Sequence, residues 1–246
     1  MTDREALEAD FAVFDAAFEA WRLKHPGGRF SEFSAARIAS ALKKGRPHTS
    51  LGPNLTKPGG WWNAGAALFR EGLAQHTPAP TDRICDYGCG SLRIGAHFIK
   101  RQAPDTFWGL DVTDDFLAYG PDLIGPELMA EKRPRLGTID ALLDQAIAAD
   151  IDLVLSTVTA MQVHPDEKDE YLSNLKRLAH RPGAHVQVMV VLGDEAIRYR
   201  RTAWAWPLSF YEAAMQPMRL VSNVHRVDQA EGDLTLGNHY LLFRRD

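Results

Sequence analysis

Apolar residues recur at helical spacing through the first eighty residues of the chain. A first amphipathic helix is predicted by a stripe at intervals of four and three residues, formed by Leu7, Phe11, Phe14, Phe18 and Trp21. Pro26, Gly27 and Gly28 end it. Similar spacing predicts helices over 31–44 and around 62–73, while the prolines and glycines of 45–60 predict a loop. Residues 1–80 are therefore predicted to form a helical cap.

Beyond residue 80, short runs typical of strands alternate with helical patterns. Five strands are predicted, over 83–87, 107–112, 135–139, 152–156 and 185–191. Helices are predicted between them, including 141–149 and 166–179. This alternation is typical of a mostly parallel sheet with helices on both faces. Two further strands, 219–227 and 239–244, are joined by 228–238, so we predict a hairpin whose last strand is antiparallel to its neighbours.

Composition and charge make some kinds of partner less favoured than others. Of the 246 residues, 45% are hydrophobic and 24% are charged, as in ordinary globular proteins. The net charge of −4 gives no general attraction to phosphate backbones, so a nucleic-acid partner is not favoured. The acidic first residues do not resemble a secretion signal, and no apolar run approaches the ~20 residues that span a bilayer. We expect a cytoplasmic protein without membrane association.

The two cysteines, Cys85 and Cys89, lie in a predicted strand and the turn after it. They do not form a Cys-x-x-Cys pair, and the sequence has no third cysteine to complete a zinc set. We expect free, reduced thiols and no bound metal.

Candidate chemistry is concentrated where the strand 83–87 runs into a turn and a helix. Gly88 and Gly90 allow a sharp turn and a close approach of the backbone to a ligand. Ser91 is predicted to cap the following helix, whose free N–H groups face the ligand. Asp111 ends the next strand, 21 residues after Gly90, where an acid can accept both ribose hydroxyls of a nucleoside.

Two residues discriminate between cofactors. Asp86 stands two residues before the first glycine, where dinucleotide enzymes usually have an apolar residue. A carboxylate there suits a ligand with cationic amino and sulfonium groups. Arg93 occupies the third glycine position of Gly-x-Gly-x-x-Gly, which disfavours NAD. An NAD(P)-dependent Rossmann oxidoreductase is one alternative, and a cofactor-binding protein without catalysis is another.

These residues resemble the motifs of a known family. Asp86-Tyr-Gly-Cys-Gly-Ser-Leu-Arg resembles the first motif of class I S-adenosylmethionine-dependent methyltransferases, in particular a bacterial subgroup with Gly-Cys-Gly-Ser-Leu-Arg. Residues 109–112 resemble the second motif, Thr138-Ile-Asp140 the third and 152–157 the fourth. The resemblance covers about 83–246. It implies a Rossmann-like, seven-stranded, mostly parallel sheet with a C-terminal antiparallel hairpin over 81–246, preceded by the helical cap.

The resemblance also implies that S-adenosyl-L-methionine is the cofactor. Its predicted contacts are Asp86, Gly88, Cys89, Gly90, Ser91, Leu92, Arg93, Asp111, Val112, Asp140, Ser156, Thr157 and Trp62. Leu92 replaces the third glycine of the commonest first motif. Asp140 is expected near the adenine amino group, with capping of the helix 141–149 as the alternative. Ser156 and Thr157 are expected beside the cofactor through their backbones, and the helix of Trp62 is expected to close over it.

The expected reaction moves a methyl group to oxygen or nitrogen of a small-molecule or sugar-type acceptor, with the oligomeric state left open. His164 is the candidate base, because it precedes Pro165 shortly after a strand's carboxyl end; a surface histidine is the alternative.

Aromatic and basic residues outside the motifs are candidates for the acceptor side. Trp61, Trp62, Trp204 and Trp206 are interpreted either as an aromatic wall or as ordinary packing of the cap. An arginine cluster, consisting of Arg198, Arg200 and Arg201, is interpreted either as a site for an anionic acceptor or as a solvated basic surface.

Overall fold

The computed structural model describes residues 3–44, 60–117, 119–231 and 234–246. The predicted loop over 45–60 lies outside these residues, apart from Gly60, which begins a helix.

The described elements follow the predicted alternation. The helices are α1 (Asp3–Arg22), α2 (Phe30–Lys43), α3 (Gly60–Gln75), α4 (Gly95–Arg101), α5 (Gly120–Ile124), α6 (Pro126–Lys132), α7 (Ile139–Ala148), α8 (Lys168–Leu178) and α9 (Leu208–Ala214). The strands are β1 (Ile84–Tyr87), β2 (Phe107–Asp111), β3 (Arg135–Thr138), β4 (Leu153–Ser156), β5 (His185–Leu192), β6 (Ile197–Arg200), β7 (Ala203–Ala205), β8 (Arg219–Glu231) and β9 (Leu234–Arg244).

The main sheet has seven strands in the order β3-β2-β1-β4-β5-β9-β8. Strands β1 to β5 run parallel, and β9 is antiparallel to both β5 and β8. The predicted fold class is therefore confirmed, including the antiparallel last strand. Because β1 to β5 are parallel, their carboxyl ends meet at one edge of the sheet, where open α/β folds bind ligands.

Both faces of the sheet are covered by helices, since its central strands are buried on both sides. On one face, α7 and α8 pack against the strands through residues such as Ala146, Leu172 and Leu175. On the other, α3 and α4 contribute Trp61, Phe98 and other residues to a second cluster. Thus α3, which was assigned to the cap by sequence, packs directly on the sheet. The boundary at residue 80 remains a prediction.

The first two helices pack through an aromatic cluster outside the main core. It consists of Phe14, Phe18, Phe30 and Phe33 from α1 and α2, together with Trp204 of β7. The stripe that predicted α1 supplies Phe14 and Phe18, both less than 10% exposed. The apolar face of α1 is therefore covered by α2 and β7.

Two predictions for the C-terminal part were wrong or incomplete. Residues 228–238 were predicted to be a connection, but β8 and β9 continue into them, with Asp228 opposite Gly237 and Gln229 opposite Leu236. Backbone hydrogen bonds between the two strands do not depend on side-chain type, so they extend the ladder through Asp228 and Gln229 of the edge strand β8. In addition, β6 and β7 form a small separate sheet that we did not predict.

Within the described ranges, no helix has both the length and the apolar character needed to cross a bilayer.

Candidate functional site

A deep pocket lies at the carboxyl edge of the sheet. Its floor is formed by the ends of β1 and β2 and by the segments after them. Residues of α2, from Phe30 to Ile38, form the facing wall, and the segment that follows β4 and the start of α8 close one side. Most of the predicted motif residues therefore meet α2 at one cavity.

The glycine turn after β1 has the backbone conformation that the sequence predicted. Gly88 and Gly90 have φ values of +82° and +53°. A Cβ at Gly88 would lie 2.5 Å from the side chain of Thr159, so this position has no room for any larger residue. Leu92 also has a positive φ of 61°, and its side chain is fully buried in the core, outside the pocket lining.

Asp86 presents a buried carboxylate to the pocket. It lies in β1 and is 3% exposed. Burial raises the pKa of Asp86 from 3.8 to about 7; the charge of Asp111 acts in the same direction, and Arg93 opposes it. A cationic ligand would favour the ionised form, because opposite charges lower the pKa of a carboxyl group.

Asp111 is the second buried acid, 5% exposed at the end of β2. Its carboxylate oxygens accept hydrogen bonds of 2.7 Å from the backbone N–H groups of Gly90 and Val112. Burial raises the pKa of Asp111 to about 6, although these two hydrogen bonds lower it. The bonds hold the carboxylate against the glycine turn, with further lone pairs available for a ligand.

The next part of the pocket combines apolar and acidic residues. Val112 is 44% exposed, and it lines the cavity together with Ile139 and Asp140. Thr138 caps α7 by accepting a hydrogen bond from the N–H of Ala141. The capping role considered for Asp140 therefore belongs to Thr138, and Asp140 lies exposed at the pocket.

The residues after β4 divide between core and pocket. Ser156 is fully buried and outside the pocket lining; its hydroxyl donates to the carbonyl of Tyr87 and accepts from the hydroxyl of Tyr171. Thr157 and Thr159 line the pocket, and the Thr159 hydroxyl donates to the carbonyl of Gly88. Successive side chains at the end of a strand point in opposite directions, so Ser156 faces the core while Thr157 faces the pocket.

The predicted capping role of Ser91 was wrong, and Trp62 lies outside the pocket lining. Ser91 does not cap the following helix, because α4 begins later, at Gly95, with Ile94 at the N-cap. Instead, the Ser91 hydroxyl accepts a hydrogen bond of 2.9 Å from the indole N–H of Trp61. The structure does not place Trp62 at the pocket; its ring packs 4.0 Å from that of His97.

His164 occupies the predicted N-cap position but lies outside the pocket lining. Its Nδ1 accepts from the backbone N–H of Asp166, at the start of a 3-10 turn before α8. Its ring stacks on Phe30 at 4.6 Å and meets the edge of Trp204 at 5.3 Å. These contacts favour a packing role for His164 and Trp204, since both join the N-terminal helices to the main domain.

The arginines of the β6–β7 sheet also bind the N-terminal helices. Arg198 forms an ion pair of 2.8 Å with Asp15, and its guanidinium lies over the rings of Phe11 and Trp204. Arg201 pairs with Asp10. The anion site considered for this cluster is therefore not at the pocket; the guanidinium groups of Arg198 and Arg201 anchor α1.

The wall opposite the motifs was not predicted from the sequence. Arg29 forms an ion pair of 2.7 Å with Glu170, and the N–H of Ser31 donates to Glu167 at 3.0 Å. These contacts fasten the start of α2 to the region where α8 begins, and all four residues line the pocket. No local pattern could indicate them, because the partners are more than 130 residues apart.

The two cysteines are both buried free thiols. Cys89 lines the pocket, and burial raises its pKa well above 9, so the thiol stays protonated at neutral pH.

The chain has the Rossmann-like fold of class I S-adenosylmethionine-dependent methyltransferases. Magnesium protoporphyrin IX methyltransferase from Synechocystis PCC 6803, with bound SAH, is similar at 12% identity and a TM-score of 0.54, over 94% of this chain and 95% of that one. The 1,6-didemethyltoxoflavin-N1-methyltransferase of Burkholderia thailandensis is similar at 15% identity and a TM-score of 0.53, over 89% and 91%.

The same fold also supports other chemistry. The cyclase SpnF is similar at 12% identity and a TM-score of 0.57, over 73% of this chain and 80% of that one. No family model matches the sequence, and no curated protein matches it. The fold alone therefore does not define the activity, which depends on the residues of the site.

Proposed function

We propose that this chain is an S-adenosylmethionine-dependent methyltransferase acting on oxygen or nitrogen of a small-molecule or sugar-type acceptor. The observation that carries the proposal is the joint placement of the Asp86 and Asp111 carboxylates around the Gly88–Gly90 turn, in one pocket. A buried acid with a pKa raised to about 7 is a costly feature, and it is typical of a functional site.

The pocket fits this cofactor in three respects. Asp111 is held where its remaining lone pairs can accept ribose hydroxyls. Val112 and Ile139 offer apolar surface for a flat base, with Asp140 at its edge. Asp86, with Cys89 and Thr157 nearby, suits the cationic amino-acid end. The cofactor supplies an electrophilic methyl group on its sulfonium.

The α2 wall would hold the acceptor, since the motif residues occupy the opposite side. Ser34, Ala35 and Gln162 give this part of the pocket mixed polar and apolar surface, as small-molecule sites have. With His164 engaged in packing, alignment by the pocket would provide most of the catalysis; proximity and orientation can supply roughly 7–11 kcal/mol.

The first test is cofactor choice. We expect isothermal titration calorimetry to show binding of S-adenosylhomocysteine and none of NAD. The reason is that the Asp86 carboxylate suits an amino group, while it would repel a pyrophosphate, and Arg93 stands where the dinucleotide turn needs glycine. Adenosine serves as the control for the shared nucleoside. Tight binding of NAD would support the oxidoreductase alternative instead.

The second test concerns Asp111. Asp111→Ala is expected to weaken S-adenosylhomocysteine binding by roughly 1.5–3 kcal/mol, the range for hydrogen bonds to a charged group. The matched control is Asp115→Ala, an exposed acid outside the pocket on the turn after β2, which should leave the dissociation constant unchanged. Equal affinity of the Asp111 variant and wild type would remove Asp111 from the site.

A further inference from the structure

A lysine ammonium lies inside the protein, behind the pocket. Lys168, the first residue of α8, is 1% exposed, and its Nζ donates to the carbonyl of Ala160. The ring centroids of Tyr171, Trp206 and Tyr211 lie 5.6–5.7 Å from Nζ. Burial lowers the pKa of Lys168 to about 7. Cation–π contact stabilises such a group only in part.

This burial is expensive for the fold. Among the described residues, no carboxylate forms an ion pair with Lys168. The neighbouring Trp206 indole N–H and Tyr211 hydroxyl are also buried without a hydrogen-bond partner in this part of the structure. A buried amino group costs stability whether it stays charged or is neutralised, and an apolar side chain of similar size would pack here at less expense. The burial of Lys168 therefore does not stabilise the fold, and the contact that its amino group makes is the hydrogen bond to Ala160.

Two contacts connect Lys168 to the pocket. Its acceptor, Ala160, is the first residue of the 3-10 turn Ala160–Gln162 that follows β4. The preceding residue, Thr159, donates its hydroxyl to the Gly88 carbonyl at 3.3 Å, and both Thr159 and Gln162 line the pocket. Lys168 therefore holds the Ala160–Gln162 turn on the side away from the pocket. On the pocket side, the adjacent Thr159 contacts the glycine turn at Gly88.

We propose that Lys168 is a positioning residue, whose ammonium fixes the Ala160–Gln162 turn so that Thr159 and Gln162 face the cofactor and acceptor. This role rests on the proposed function. The ammonium itself does not touch the pocket and acts through the carbonyl of Ala160. Because three aromatic rings surround it, the ammonium cannot rotate away to solvent, and the turn is held in one place.

The test compares two lysines of the same helix. Lys168→Met keeps an unbranched side chain, one atom shorter than lysine, and removes the donor and the charge. Lys176→Met is the matched control, since Lys176 also donates to a carbonyl, that of Ala214 in α9, but far from the pocket. Hydrogen exchange by mass spectrometry and S-adenosylhomocysteine titration are measured for both variants and for wild type.

For Lys168→Met we expect faster exchange confined to 157–163, unchanged exchange in β1 and β2, and roughly tenfold weaker S-adenosylhomocysteine binding. Lys176→Met should match wild type in both measurements. Unchanged exchange in the turn, or faster exchange throughout the sheet, would overturn the positioning role.

Should Lys168→Met not fold, Lys168→Gln is measured in its place, because its amide tolerates a polar environment but carries no charge and is one atom shorter than lysine. A folded Lys168→Gln with faster exchange only in 157–163 supports the proposal; one with a protected turn, or one that does not fold, overturns it. If wild type binds no S-adenosylhomocysteine, the proposed function fails, while the exchange comparison still decides whether Lys168 positions the turn.

Discussion

Asp86→Asn is expected to lower the affinity for S-adenosylmethionine by roughly 100-fold while making the cofactor-free protein more stable at pH 8. The affinity falls because asparagine is neutral. The cationic end of the cofactor would then be buried in the pocket without an opposite charge, which costs binding free energy. The stability rises because burial raises the pKa of Asp86 from 3.8 to about 7, so that the ionised carboxylate destabilises the folded protein at pH 8. Asparagine has no charge to bury. Titration calorimetry and urea unfolding measure the two effects.

The pH dependence has a definite sign. A carboxyl group whose folded-state pKa is raised contributes stability below its unfolded pKa, and this is lost as pH rises through the folded pKa, here between about 4 and 7. The variant should not show this loss, and at pH 8 it should be more stable than wild type by about 2–4 kcal/mol. Asp115→Asn, at an exposed acid outside the pocket, is the control and should behave as wild type. A more stable wild type at pH 8 would contradict the assignment.

Gly65→Ala is expected to destabilise the protein by roughly 2–4 kcal/mol, although alanine is the better helix former by ~1 kcal/mol. Gly65 lies buried in α3, and a Cβ there would be 1.8 Å from the carbonyl oxygen of Arg93. A backbone atom cannot rotate aside, so α3 and the segment at Arg93 must move apart. Because Arg93 lines the pocket, S-adenosylhomocysteine binding should weaken as well.

Gly72→Ala in the same helix is the matched control for Gly65→Ala. Its Cβ would meet only the end of the Gln187 side chain, at 2.8 Å from the amide nitrogen, which can shift more easily than backbone. Its effect on the thermal midpoint should be much smaller than the roughly 5–15 °C expected for Gly65→Ala in a chain of this size. Equal midpoints for the two variants would show that α3 accommodates the extra methyl group by moving.

Local chemistry was sufficient to predict most of the secondary structure and one side of the pocket. The spacing of apolar residues identified α1, α2 and α3, and the alternation of strands and helices identified the parallel sheet. Gly88 and Asp111 could be placed together because parallel strands end at one edge, and the turn conformation requires glycine. These inferences need only neighbouring residues or a general rule of the fold.

The remaining features of the site depend on contacts between segments that are distant in the sequence. Asp15 and Arg198, 183 residues apart, give no sign in the sequence that they pair, and the same holds for Arg29 and Glu170. His164 and Trp204, which the sequence suggests for chemistry, both contact the aromatic ring of Phe30 in α2. A side chain's role depends on which surfaces bury it, and burial is set by how the elements pack, whereas helix and strand propensity act over a few residues.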